Sequence, residues 1–213
     1  MMTPIAQSAL PRIIRTSWQT RWQPELIGTL VFLIHQGKVL LIKKLTGHGQ
    51  GKINGPGGKW EINESLLECA RRETLEETGL AVDNLTCEAE LRFVEQAGPQ
   101  WLGYVFVAKV FSGELTQTQE AKPFWCDLGN IPYRFMWADD AIWLPRVLKQ
   151  AQLLGSRPQP FVHDFLFNDG ELLAHRPVSQ TELSFSVTQP RAAQFVRQSL
   201  SLIHISEPTR PLS

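Results

Sequence analysis

Glu73, Glu76 and Glu77 are spaced so that, on a helix, all of them can reach one point beside the axis. At about 100° per residue they fall within an arc of about 100°. An oxygen-only cluster of this kind suits Mg²⁺ or Mn²⁺ and not zinc, which favours nitrogen and sulfur. Three acids on one helix can also be no more than a solvated face. Left without a cation they repel, at roughly a few tenths of a kcal/mol per i,i+4 pair. Two neighbours favour chemistry. Arg72 precedes the acids, and Gly55-Pro56-Gly57-Gly58 lies upstream, where glycines let the backbone come close to a ligand.

The elements that must hold these residues are readable in outline. Ser65-Leu-Leu-Glu68 has capping-box spacing, good helix formers follow, and Gly79 stands where a helix-ending glycine belongs. On that helix Leu67, Ala70 and Thr74 form the adjacent arc and are expected to pack on a sheet. Upstream, Leu26–Ile34 and Val39–Leu45 read as a hairpin about His35-Gln36-Gly37-Lys38, and a glycine-dense loop runs from Gly47 to Gly58. Downstream, Ala81–Phe93 and Trp101–Phe111 alternate as a second antiparallel pair. Phe124–Leu128 is a short strand, Ala138–Leu153 a second helix, and Phe161–Phe167 with Glu171–Ala174 a closing hairpin around Asn168-Asp169-Gly170. The pattern is a mixed α/β sandwich with hairpin connections, not the regular βαβ alternation of a doubly wound sheet.

Composition removes several classes. With 213 residues the chain suffices for one well-packed domain and tails. Its 21 basic and 21 acidic side chains balance, with no basic stripe, which argues against a nucleic-acid polymer as partner. A small anionic ligand needs only a few local cations. The 3 cysteines, Cys69, Cys87 and Cys126, have no CxxC spacing and read as reduced thiols of a cytoplasmic protein. No apolar run approaches transmembrane length. Residues 1–24 carry Arg12, Arg15 and Arg21 with no acid; they lack the apolar core of a secretory signal, although transit peptides share this composition.

Gly58-x₅-Glu64-x₇-Arg72-Glu73-Thr74-x-Glu76-Glu77-x-Gly79-Leu80 resembles the signature of the Nudix hydrolases. Thr74 departs from it, standing where an aliphatic residue is usual. The resemblance implies an α/β/α sandwich with a mixed, largely antiparallel sheet, and a monomer that cleaves between phosphates. It implies that Glu73, Glu76 and Glu77, the Gly57 carbonyl and Glu120 hold Mg²⁺ (or Mn²⁺). Arg72 and Glu64 would orient these acids, and Lys59 could meet phosphate or merely be solvated.

Over residues 26–177 the chain is similar to the MutT-related, oxidised-purine nucleoside triphosphate diphosphatases. The similarity is carried by Gly51-Lys-Ile-Asn54-Gly-Pro-Gly-Gly-Lys59, by Ile131-Pro-Tyr-Arg-Phe-Met-Trp137-Ala-Asp139-Asp140 with Trp143, and by the closing hairpin. It implies a nucleotide substrate and a role in cleansing the nucleotide pool. Asn54, Asp139 and Asp140 would hydrogen-bond the base, Trp137 and Phe93 would pack on it, and Thr29 and Lys44 would line the same pocket. Local explanations compete: Asp139-Asp140 is also a good helix N-cap pair, Trp137 and Phe93 could be core aromatics, and Asn54 could favour a turn. His48, at a position usually aromatic, and Ile53, where a tryptophan is usual, depart from the pattern. Other substrates of the fold, such as ADP-ribose or a nucleotide sugar, and a non-catalytic nucleotide-binding module are the alternatives. Residues 1–25 read as an extension. Residues 178–213 read as a disordered, dispensable tail: Ala192–Leu202 could form a helix with nothing to bury against, and 201–213 resembles translated sequencing-adapter sequence.

Overall fold

The computed structural model describes residues 24–96, 98–153, 159–179 and 184–190. The strands are β1 (Leu26–His35), β2 (Lys38–Lys44), β3 (Ile53–Asn54), β4 (Leu80–Asp83), β5 (Thr86–Glu95), β6 (Trp101–Ala108), β7 (Val110–Gly113), β8 (Ala121–Asp127), β9 (Phe161–Asn168) and β10 (Glu171–Val178). The α-helices are α1 (Leu66–Thr78) and α2 (Asp140–Gln152), with a 3₁₀ turn at Tyr133–Phe135. The main sheet has 8 strands in the order β10-β9-β5-β6-β1-β2-β3, with β8 also on β2. Pairs β1–β6 and β5–β9 are parallel and the others antiparallel. This is the expected mixed sandwich.

Alternation along each strand sorts side chains onto two faces. Ile27, Val31 and Leu33 of β1 join Leu102, Tyr104 and Phe106 of β6 beneath Leu66, Cys69 and Ala70 of α1. Phe32, Leu91, Val105 and Phe165 meet Trp143, Leu144 and Val147 of α2 on the other face. Trp143 is fully buried and meets Phe32 edge-on at 5.8 Å between centroids.

The first hairpin exists only at its tip. Gln36 and Gly37 both have positive φ, as a type I′ turn requires, but β1 and β2 pair only at Ile34–Val39 and His35–Lys38. The rest of that edge of β1 is occupied by the glycine loop: Val31 N donates to Pro56 O, Thr29 N to Gly58 O, and Trp60 N to Ile27 O. The expected long strands Ala81–Phe93 and Trp101–Phe111 are each two. Asn84, at φ 53°, ends β4, and β4 leaves the main sheet to pair with β7.

Beyond Val178 the expectation of an unpacked tail fails within the described residues. Ser184 N and Oγ donate to the Glu90 carboxylate at 2.6 and 2.7 Å, and Phe185 N donates to the Tyr104 hydroxyl. Phe185 is buried against Trp60, and Val187 O accepts from Leu67 N. A fully buried carboxylate such as Glu90 must be hydrogen-bonded, and this segment supplies what the sheet alone does not. The extension 1–23 and the Ala192–Leu202 segment lie outside the described residues.

Candidate active site

Helix α1 is fixed at both ends by local chemistry. Ser65 Oγ accepts from Glu68 N, and the Glu68 carboxylate accepts from Ser65 N, closing the capping box. Gly79 ends the helix at φ 76° and donates to Leu75 O. Thr74 is fully buried, and its hydroxyl donates to Ala70 O at 2.7 Å, so a polar residue occupies the apolar seam without an unmet bond.

The glycine loop meets the acid face of this helix. A Cβ on Gly58 would overlap the Glu73 carboxylate, and one on Gly57 would overlap the Thr29 carbonyl. Glycine is therefore required at both positions by close approach. Gly57 N donates to Glu77 Oε2 at 2.8 Å, and Lys44 Nζ sits 2.6 Å from Glu77 Oε1. Glu77 is buried, Glu73 half-buried and Glu76 exposed. Arg72 ties the group together, reaching Glu64 at 2.8 Å, Glu73 at 2.7 Å, Glu76 at 3.3 Å and the Lys59 carbonyl at 3.1 Å.

Burial raises the pKa of Glu77; the bonds from Lys44 and Gly57 oppose the rise and the charge of Glu120 adds to it. Glu73 is also raised by burial, against the pull of Arg72. Arg72 is held protonated by Glu64 above all. Glu64 is lowered, because bonds from Arg72 and the Glu61 N–H outweigh its burial. A buried acid cluster short of positive charge is what a cation would relieve.

The second group lies on the α2 face. Asp139 and Asp140 are both buried, and Lys52 is the charge that acts on each of them from outside the pair. Asp140 Oδ2 accepts from Trp137 N at 2.8 Å, and Asp139 Oδ2 accepts from Trp143 Nε1 at 2.9 Å. Neither side chain caps α2. Burial raises the pKa of both, and for Asp140 the neighbouring Asp139 charge raises it further. Trp137 stacks on His48, His48 stacks on Trp101, and Phe93 stacks on Phe165. The charges of Lys59 and Lys44 add to burial in lowering the pKa of His48, so the two groups sit at the same end of the molecule.

The residues singled out in the sequence therefore divide between the faces. Thr29 does not line the aromatic group: its hydroxyl lies 3.4 Å from Cys69 Sγ, under α1. Lys44 likewise belongs with the acids, because its ammonium is spent on Glu77. Both placements follow from strand alternation, which sends these side chains to the α1 face. Asn54 Oδ1 accepts from Gly55 N at 2.8 Å, the local bond a turn-forming asparagine makes. Lys59 is exposed, with its ammonium 5.9 Å from the centre of the Trp101 ring. Glu120 is exposed, near enough for its charge to act on Glu77.

The NUDIX domain family matches residues 25–147, more than half of the chain. The chain belongs to the Nudix hydrolases. It is 40% identical over 128 residues to the oxidized purine nucleoside triphosphate hydrolase of Danio rerio, a match covering 60% of this chain and 82% of that one. It is 39% identical over 92 residues to an 8-oxo-dGDP phosphatase of Homo sapiens, covering 43% of this chain and 27% of the relative. Among solved structures it is similar to the mutator MutT protein of Bacillus halodurans, with TM-score 0.60 and 28% identity, covering 73% of this chain and 99% of that one.

Nudix enzymes generally use a divalent metal. Among the described residues no three acidic, histidine or cysteine side chains converge as metal ligands in this structure. The acids are instead turned onto Arg72, Lys44 and the Gly57 N–H. The donor chemistry fits a hard cation all the same: every side chain is a carboxylate, the cluster is partly desolvated, and glycine backbone lies against it. Sequence reasoning missed Trp101 and Lys52. Trp101 pairs across the strands with Phe93, and Lys52 lies 4.7 Å over the Trp137 ring; neither sits in a motif that would have marked it.

Proposed function

We propose that this Nudix hydrolase is a Mg²⁺-dependent nucleoside triphosphate diphosphatase that releases pyrophosphate and a nucleoside monophosphate, acting on oxidised purine nucleotides such as 8-oxo-dGTP. The observation that carries the substrate choice is the buried Asp139–Asp140 pair beside Trp137. Two carboxyls packed together away from water do not both ionise easily, so burial and mutual repulsion favour a proton on one of them. The pair then offers a donor and an acceptor side by side. An oxidised guanine carries an additional N–H and C=O on its imidazole edge, and a polar pair can tell these from ordinary guanine because a mismatched base leaves its groups unpaired. The similarity to the Danio rerio enzyme supports the same reading.

In the reaction, water adds to phosphorus as the α–β anhydride P–O bond breaks, and the products are the nucleoside monophosphate and pyrophosphate. Glu73, Glu76 and Glu77, with the Gly57 carbonyl and Glu120, would hold Mg²⁺. The cation supplies neutralisation of the phosphate chain and makes water a nucleophile at neutral pH. Arg72, itself held by Glu64, fixes the directions of Glu73 and Glu76, as supporting groups do around metal ligands. The Gly57 N–H fixes Glu77. Lys44 can exchange Glu77 for phosphate oxygen, and exposed Glu120 can take the proton lost by water. The free thiols of Cys69, Cys87 and Cys126 suit a cytoplasmic setting.

The test is phosphate or pyrophosphate release with Mg²⁺ from 8-oxo-dGTP, dGTP, 8-oxo-dGDP, ADP-ribose and a nucleotide sugar. A higher kcat/KM for 8-oxo-dGTP than for dGTP is expected. Equal values would reduce the reading to a general pyrophosphohydrolase, and a preference for ADP-ribose would replace it.

A further inference from the structure

The His48 imidazole stacks on two indoles. Its ring centre is 5.3 Å from that of Trp101 and 5.1 Å from that of Trp137, with planes inclined by only 19° and 16°. His48 therefore covers a face of each indole on which a flat base could stack. The imidazole and the indoles are held very differently. Trp137 is anchored through its backbone N–H to buried Asp140, and Trp101 begins β6 in register with Phe93. His48 makes no hydrogen bond to a described residue, and burial with the Lys59 and Lys44 charges disfavours its protonated form. Among the described residues, stacking is the contact that holds its ring.

The loop beneath it can let it go. Lys44 N donates to Lys52 O and Gly51 N to Lys44 O, which close the base of the loop. At the tip His48 is flanked by Gly47 at φ 70° and Gly49 at φ 79°; a Cβ on Gly47 would meet nothing within 4 Å, whereas one on Gly49 would lie 3.3 Å from the Trp137 ring. The tip is thus a short arm with a permissive residue on either side of the imidazole.

We propose that His48 is a built-in occupant of the base slot: it stacks where a nucleobase stacks and must swing out before a nucleotide binds. This rests on the reading that the base packs against Trp137. A flat base stacked on indole gains roughly 1–3 kcal/mol, so it can outbid a lone imidazole. The protein is competent to bind only in the fraction of molecules whose slot is open, and apparent affinity is reduced by that fraction. The reduction is the same for every base, because the imidazole leaves before any base is read. His48 therefore sets how tightly nucleotides bind, while Asp139 and Asp140 set which is preferred.

The experiment measures Kd for dGMP, 8-oxo-dGMP, dAMP and dCMP by calorimetry with the full chain, comparing wild type, His48→Ala and His48→Phe. His48→Ala should tighten all the monophosphates that bind by a common factor of about three to ten, leaving their ratios unchanged. His48→Phe restores a stacking ring and should return Kd to the wild-type value or weaker. For a hydrolysed triphosphate, His48→Ala should lower KM and leave kcat alone. Weaker binding in His48→Ala, altered ratios between bases, unchanged Kd, or no binding in either protein each overturns the proposal. Uniform tightening without any preference for 8-oxo-dGMP would instead uphold the slot occupant and remove the oxidised-purine reading.

Discussion

The two faces of the sheet treat carboxylates in opposite ways. On the α1 face most buried or half-buried acids have a cation in contact: Glu77 has Lys44, Glu73 and Glu64 share Arg72, Glu90 has Arg92, and Asp164 has Arg176, with buried Glu88 the exception. On the α2 face Asp139 and Asp140 have only indole and backbone N–H partners, with Lys52 acting from farther away. In the first arrangement the cations oppose the upward pull of burial on the carboxyls, and the acids are interchangeable between protein cations and an incoming one. In the second, burial and the neighbouring acid favour a proton on the pair. One sequence thus builds a charge site and a hydrogen-bonding site from the same functional group, by the presence or absence of a basic neighbour.

The largest expected effect breaks the charge site. Glu76→Gln or Glu77→Gln should lower kcat with Mg²⁺ by a hundredfold or more, about 2.7 kcal/mol of transition-state stabilisation. Melting should change little, since Gln retains an oxygen for the Gly57 N–H. Near-normal turnover in either variant would remove these acids from the metal site.

Next comes the far end of the same face. Ending the chain after Ser179 removes Ser184 from Glu90 and Phe185 from Trp60, leaving a buried carboxylate short of donors. A loss of about 2 kcal/mol is expected, from an unmet buried group and a vacated apolar site. That corresponds to a fall in Tm of about 4–8 °C. An unchanged Tm would show that residues 184–190 add nothing to the fold.

On the α2 face, Asp139→Asn and Asp140→Asn replace a proton-sharing pair with one of fixed polarity. The ratio of kcat/KM for 8-oxo-dGTP over dGTP should fall tenfold or more, about 1.4 kcal/mol. Retention of the full ratio in both variants would take base reading away from this pair.

The smallest effect is a pH dependence of stability. The folded carboxyls titrate above their unfolded range, so the folded state binds more protons in the interval between, and stability falls as pH rises through it. It is highest below the unfolded carboxyl pKa, where both states are protonated. Urea denaturation from pH 4 upward should show this decline, and Asp140→Asn should flatten it. A decline of equal steepness in the variant would place its origin elsewhere.

The acid helix was legible in the sequence because everything that makes it is local. Ser65 and Glu68 close a cap within one turn, Gly79 stops the helix, and the spacing of Glu73, Glu76 and Glu77 fixes their common side whatever packs around them. The Asp139–Asp140 pair was visible as a pair, but its environment was not. Both candidate roles, N-cap and buried acid, fit the same residues, and only Trp137 N and Trp143 Nε1 decided between them. Thr29 and Lys44 were matched to the base pocket by resemblance alone; their contacts here are with Cys69 and Glu77. Their surroundings were not legible, because the pairing of β1 with β6 and the glycine loop, where a long hairpin with β2 was expected, decides what lies beside each of them. The tail was misread for a related reason, since a few residues that bury one phenylalanine and satisfy one distant glutamate leave no periodic pattern. The aromatic stack of His48 with Trp101 and Trp137 joins it to residues 53 and 89 positions away in sequence. By itself the sequence determined the chemistry that repeats within a helical turn. Contacts that span the chain were decided by tertiary structure, because there the free energy comes from strand pairing and burial, which no local spacing encodes.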